Sequence, residues 1–154
     1  MSLDLDQIDR NLLALLQQDA TLSMDTLADR AHLSRNACWR RVKRMEEAGV
    51  IRARVALVNP QALGLDLSVI VLIRTNRHDK AWLEAFNKAV RDLPEIIGAH
   101  RMSGDLDYVL RVRVPSVKGY DDFYQRLISR IEVSDISASF VMQDIKDTTA
   151  LPVN

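Results

Sequence analysis

A single cysteine, Cys38, leaves the chain unable to form an internal disulfide. No apolar run approaches the roughly 18 residues that a membrane-spanning helix needs. The opening MSLDLDQIDR is acidic and lacks the basic-then-apolar order of a secretory signal. These absences together lead us to expect a cytoplasmic protein. His32, His78 and His100 are scattered and match neither HExxH nor another metal-ligand spacing. There is no phosphate-gripping glycine loop, no recognisable pair of acid/base carboxylates and no evident catalytic partner for Cys38 in the sequence. The expectation is therefore a protein that is not an enzyme, with no catalytic residues, no metal and no cofactor. Net charge is lacking too, at +0.

What is present is an ordinary globular composition, 47% hydrophobic and 27% charged. At 154 residues the chain is long enough for one average domain or two small ones. The neutral total hides a local asymmetry. Arg30, Arg35, Arg40, Arg41, Lys43, Arg44, Arg52 and Arg54 fall in one stretch, opposed there by Glu46 and Glu47. Beyond Pro60 the two signs nearly balance. A confined positive patch is what a nucleic-acid contact requires, and a solvated charged face is the rival explanation.

The pattern around the patch favours the first. Asp6 can cap a helix whose apolar stripe is Ile8, Leu12, Leu15 and Leu16. After DATLS, Ser23 caps a short second helix, with Leu22 positioned to staple onto Leu27. Ser34 caps a third, with Leu33 facing Cys38. At about 100° per residue, Cys38, Val42, Met45 and Gly49 share the inner face of this third helix. Asn36, Arg40, Lys43, Arg44 and Glu47 share the outer face, and Arg41 and Trp39 lie at the flanks. A short helix, a tight turn and a helix with a basic outer face make a helix-turn-helix, whose second helix enters the DNA major groove.

Roles follow from geometry. Arg35, Asn36 and Arg40 lie in the N-terminal half and are the candidates for base edges, since arginine pairs bidentately with guanine and asparagine with adenine. Lys43, Arg44 and Arg41 suit phosphates, and Ser34 can offer its hydroxyl or the helix amides to another. The flank position of Trp39 predicts a core or domain-packing role rather than a stacking platform. Cys38, on the inner face, reads as a small apolar residue rather than a thiol sensor.

After Gly49 the period changes. VIRARVALVN alternates as a strand does, and its arginines would extend the basic surface as a wing. Pro60 and Gly64 then mark a boundary, which predicts a DNA-binding domain over residues 1–59 and a second domain over 60–154. In the second, LSVIVLIRT is apolar on both faces and should be a strand covered on both sides. DKAWLEAFNKAVRDL and VKGYDDFYQRLISRI read as helices, and EIIGAHRMS, LDYVLRVRVP and DISASFVMQDI as strands. The order is β-α-β-β-α-β. The expected class is α+β, a winged helix-turn-helix followed by a ferredoxin-like domain. Two helices cover one face of such a sheet, and a second copy of the domain is the simplest cover for the other. The resulting twofold dimer would present two recognition helices to a palindrome.

The stretch from DQIDRNLLALLQQDA through GVIRARVALVNPQALG, with HRMSGDLDYVLRVRVP, closely resembles the leucine-responsive regulatory protein/asparagine regulator (Lrp/AsnC) family of transcription factors. The likeness runs from about Leu5 to Asp147. It implies a regulator of double-stranded DNA whose recognition helix matches Ser34 to Ala48. It implies a C-terminal domain that dimerises, often into octamers, and senses a small amino-acid effector. The effector region then corresponds to Ser103, Gly104, Asp105, Leu106, Asp107 and Tyr108. There Gly104 would permit a tight turn whose amides accept a carboxylate, and Asp105 or Asp107 could face an α-ammonium group. CWRRVKRMEEAGVI, YDDFYQRLI and IKDTTALPVN look like a branch associated with cysteine sensing. Alanine, serine, leucine and other apolar amino acids stay open. An architectural protein that wraps DNA without an effector is the alternative function.

Overall fold

The computed structural model describes residues 3–153 and divides into two compact units. The first comprises the chain up to Leu57 and again from Lys146 onward; the second runs from Val58 to Ile145.

Three helices build the first unit: α1 (Gln7–Gln18), α2 (Met24–Arg30) and α3 (Arg35–Glu47). Each starts at a side-chain cap. Asp6 accepts from the Asp9 N–H at 2.8 Å, Ser23 from Thr26 at 3.1 Å and Ser34 from Ala37 at 3.3 Å. These caps satisfy amides that the first helical turn leaves without partners. Leu12, Leu13 and Leu16 of α1 meet Leu27 and Ala28 of α2 and Cys38, Val42 and Met45 of α3 in one buried cluster.

The turn between α2 and α3 is closed by two backbone bonds, from the His32 N–H to Asp29 (3.2 Å) and from the Leu33 N–H to Ala28 (2.9 Å). The pattern requires left-handed backbone at His32, which has φ 55. The same closure ends α3 with Gly49 at φ 71, where glycine carries no Cβ penalty.

The strand expected over VIRARVALVN does not form: no strand is assigned there, and Arg52 to Asn59 are all exposed. A strand needs a neighbour for its N–H and C=O groups, and the single chain offers none at this place. Residues 146–153 pack with the first unit, where Gln17 donates to the Leu151 carbonyl at 3.0 Å and accepts from the Leu151 N–H at 2.7 Å. Val153 packs against the helical core.

The second unit contains β1 (Leu67–Arg74), α4 (Lys80–Asp92), β2 (Ile96–Arg101), β3 (Tyr108–Val114), α5 (Val117–Ile128) and β4 (Asp135–Phe140). The strands form one antiparallel sheet in the order β2-β3-β1-β4, the ferredoxin-like arrangement. Val69, Val71, Ile73, Leu110 and Val112 alternate onto one face, where Trp82 and Phe86 of α4 and Phe123 and Leu127 of α5 bury them. Each such side chain contributes roughly 1.5–3 kcal/mol on leaving water. No described element of the second unit covers the other face. Ile70, Leu72 and Val109 remain half-buried there, with Arg111, Ser137 and Ser139 exposed beside them.

Candidate nucleic-acid interface and effector turn

Helix α3 turns Cys38, Val42 and Met45 fully inward, which leaves Arg35, Asn36, Trp39, Arg40, Lys43 and Arg44 exposed. Among the described residues, the side chains of Asn36 and Arg40 have no hydrogen-bond or ion-pair partner. Their donors point from a rigid helix and are free for another molecule. Arg35 has only a loose, exposed pairing with Asp25 at 3.5 Å, and Lys43 one with Glu47 at 3.7 Å. Such pairs are worth little and yield readily to a phosphate. Ser34 stands at the helix start as its cap.

Arg41 and Arg44 are placed differently. Arg41 Nη1 lies 2.7 Å from Asp6 and 2.9 Å from Asp9, and Arg44 Nη2 lies 2.6 Å from the other oxygen of Asp9. Asp9 is completely buried. These contacts fix α3 against the start of α1. The Asp9 N–H and the Arg41 guanidinium hold the Asp6 carboxyl below the usual aspartate range. The bonds to Asp6 and Asp9 raise Arg41 above its ordinary value. Sequence reasoning missed this cluster. Its only trace is an acidic residue three positions after a capping aspartate, with Arg41 on the flank of α3 and Arg44 three positions on.

Trp39 is not in the core of the first unit. It is 49% exposed, with the Lys43 ammonium 4.8 Å from its ring centroid. Met24 and Val42 lie beside the indole but leave half of its surface open.

The second candidate region is the connection between β2 and β3. It is held at its base by the Met102 N–H donating to the Asp107 carbonyl at 2.8 Å. Gly104 has φ 107, a conformation that side chains resist. Ser103, Gly104 and Asp105 are exposed and Leu106 is half-buried. No hydrogen bond engages the amides of these four residues among the described residues. Asp107 is committed internally: its carboxylate accepts from the Thr75 N–H at 2.8 Å, and His78 lies 3.9 Å from its other oxygen. Asp105 keeps an exposed carboxylate, while its carbonyl accepts from Arg74 at 2.9 Å. Tyr108 leaves the turn for the core, where its ring meets Phe86 (4.3 Å) and Trp82 (5.5 Å) and its hydroxyl has no partner. Beside Thr75 a small cavity of about 80 Å³ is lined by Arg77, Glu132 and Ser134. Among the described residues no His, Cys, Asp and Glu gather to hold a metal, and no helix is long and apolar enough to cross a membrane.

Comparison with known proteins assigns both units. Residues 5–52 match a winged helix-turn-helix DNA-binding family, and residues 68–151 match the Lrp/AsnC ligand binding domain. The DNA-binding transcriptional activator DecR of Escherichia coli K12 is 47% identical, over 97% of this chain and 99% of that protein. A crystal structure of an AsnC family transcriptional regulator from Agrobacterium tumefaciens superposes with TM-score 0.93 at 48% identity, covering 97% of each chain. A transcriptional regulator from Neisseria meningitidis, solved as its L-methionine complex, gives TM-score 0.93 at 34% identity over 98% of each chain. The architecture, the exposed basic helix and these likenesses agree on a regulatory protein rather than an enzyme. The chain belongs to the Lrp/AsnC family of transcriptional regulators, with a winged helix-turn-helix DNA-binding unit followed by that family's ligand binding domain.

Proposed function

We propose that α3 reads DNA with Arg35, Asn36 and Arg40 on base edges, while Ser34, Lys43, Arg44 and Arg41 hold phosphates. The single observation that carries this is the pair Asn36 and Arg40, exposed and without partners on a helix whose inner face is fully buried. Each guanidinium has five donors, so Arg41 and Arg44 keep several free after their bonds to Asp6 and Asp9. Arg44 is the more exposed of the two, 47% against 26%, and makes the fuller phosphate contact.

Two copies act together. The half-buried Ile70, Leu72 and Val109 on the open sheet face supply apolar area for a homodimer. Dimers gather further into an octamer. Within the second unit, the effector is an α-amino acid. Its carboxylate is received by the free amides from Ser103 to Leu106, and its ammonium by the exposed Asp105. Asp107 and Tyr108 shape this turn from behind. Cysteine is the first candidate effector, on the overall likeness to the cysteine-sensing branch. L-Methionine is the second, because the Neisseria meningitidis relative holds it.

Binding to the DNA upstream of the protein's own gene tests the reading, at fixed salt and with each of the twenty amino acids in turn. Saturable binding to one fragment, altered by one amino acid, is the expected result. Specific binding indifferent to all twenty would remove the effector turn. Equal weak binding to every fragment would favour the wrapping alternative.

A further inference from the structure

Trp39 is the residue of α3 that neither the core nor the basic face explains. It is absent from the cluster that buries Cys38, Val42 and Met45, and half of its surface is open. On the helix it stands one turn after Arg35 and one turn before Lys43, so the three form a stripe at i, i+4 spacing beside Asn36 and Arg40. The Lys43 ammonium sits over the ring and restrains it. The indole walls an open groove of about 310 Å³ together with Met24, Val42, Lys43, Glu46 and Arg54. Glu46 is engaged by Arg54 at 2.8 Å. The surroundings are thus an apolar wall of Trp39, Met24 and Val42 with Lys43 and the Arg54–Glu46 pair at its rim, on the helix that also carries Arg35, Asn36 and Arg40.

DNA supplies one partner of that chemistry. In the major groove the apolar feature of a base edge is the C5-methyl of thymine, which packs against apolar side chains. An indole held on a helix beside two cations can meet that methyl without entering the base stack. We propose that Trp39 is a specificity-determining residue that packs on the C5-methyl of one thymine in each half-site. It selects thymine over cytosine there. The inference rests on α3 being the helix that enters the groove.

The test uses the intact assembly and DNA sites selected by it from a random library. Each thymine of the selected site is replaced in turn by uracil, which lacks only the methyl. At one position of each half-site, uracil should weaken binding of the natural protein about fourfold, the worth of one buried methyl. The same replacement should leave Trp39→Ala unaffected. At that position cytosine should bind worse than thymine, and 5-methylcytosine should recover part of the loss.

A second readout needs no variant. Trp82 is only 3% exposed, so acrylamide-quenchable fluorescence belongs to Trp39. It should be quenchable in the free assembly and protected on the selected DNA. Quenching already absent without DNA would assign the groove to contacts between copies, and quenching unchanged on DNA would remove the contact; either overturns the inference. So would a uracil effect equal in both proteins. If Asn36→Ala and Arg40→Ala lose specificity while Trp39→Ala keeps it, the reading of α3 stands and this one falls. Failure to select any site would sink both.

Discussion

Arg44 donates from Nη2 to Asp9 at 2.6 Å, joining a side chain nearly half in solvent to a carboxylate with no exposed surface. With Arg41 at 2.9 Å on the other oxygen, Asp9 is the fixed point between α1 and α3. A buried carboxylate is costly unless its partners are present, and removing one side of such a pair costs about 3–5 kcal/mol. Asp9→Ala would leave Arg41 with Asp6 alone and Arg44 with solvent alone, so the partial exposure of both arginines places the loss toward the lower end of that range. We expect the urea midpoint of the first unit's unfolding to fall accordingly, with the second unit's transition unmoved. A loss below 1 kcal/mol would mean that solvent screens the pair.

The neighbouring carboxylate gives a pH signature. The Asp9 N–H and then Arg41 hold the Asp6 carboxyl below its ordinary 3.8. A depressed value in the folded state contributes stability that is fully present above the unfolded value and lost as the pH falls through the folded one. Asp6→Asn should therefore be less stable than the natural chain near neutral pH, and the two should converge on acidification below that range. Denaturant midpoints across the acid limb measure it. A gap that stays constant with pH would assign Asp6 to hydrogen bonding alone.

Much of this was legible beforehand because it is local. Asp6, Ser23 and Ser34 announce helix starts by side-chain chemistry within three residues, and the alternation in YVLRVRV gives the buried face of β3 directly. The basic outer face of α3 follows from periodicity in the same way. What escaped depends on distant partners. Asp9 looks like a surface carboxylate in a first helical turn until Arg41 and Arg44, more than thirty residues away, are brought to it. Trp39 reads as a packing residue because large aromatics ordinarily are, and no sequence period reports the absence of a neighbour. The alternation in VIRARVALVN is a strand's pattern, but pattern alone supplies no second strand. Gln17 meeting Leu151 across the chain has no sequence signal.

That last contact makes its own prediction. The Gln17 side chain both donates to and accepts from Leu151, as a neighbouring strand residue would. Gln17→Ala removes both bonds and leaves the Leu151 side chain exposed as before. Hydrogen exchange should speed up at the Leu151 amide while α1 keeps its protection. Unchanged exchange would show that Val153 in the helical core holds the segment without Gln17.

The two left-handed turns offer a matched pair. His32 at φ 55 and Gly49 at φ 71 close successive helices with the same two-bond pattern. A side chain in that conformation costs roughly 1–2 kcal/mol. His32→Gly relieves the strain but frees the unfolded chain, so a gain of about 0.5 kcal/mol is expected. Gly49→Ala introduces the strain and should lose about 1 kcal/mol, although open space surrounds the added methyl. Thermal melting of both variants decides the matter. Opposite signs would mark backbone conformation as the controlling term. If both lose stability, His32 contributes a contact at the helix-turn-helix corner that outweighs its strain.

In the proposed reading of α3, Arg40 contacts a base edge and Lys43 a phosphate, and titrations in salt test that division. Arg40 has no partner to release, whereas Lys43 leaves an exposed bond with Glu47 and its place over Trp39. Arg40→Ala should lose roughly 1–3 kcal/mol on the selected site and relax preference at one base pair, with weaker effects on random DNA. Lys43→Ala should weaken both DNAs by a similar factor and reduce the slope of log affinity against log salt by about 1. The contrast depends on helix orientation, because rotating α3 by one residue would exchange which side chain faces the groove floor. If Arg40→Ala lowers all sequences equally while Lys43→Ala relaxes one position, the helix lies turned toward Trp39, and the base-reading edge is the Arg35–Trp39–Lys43 stripe.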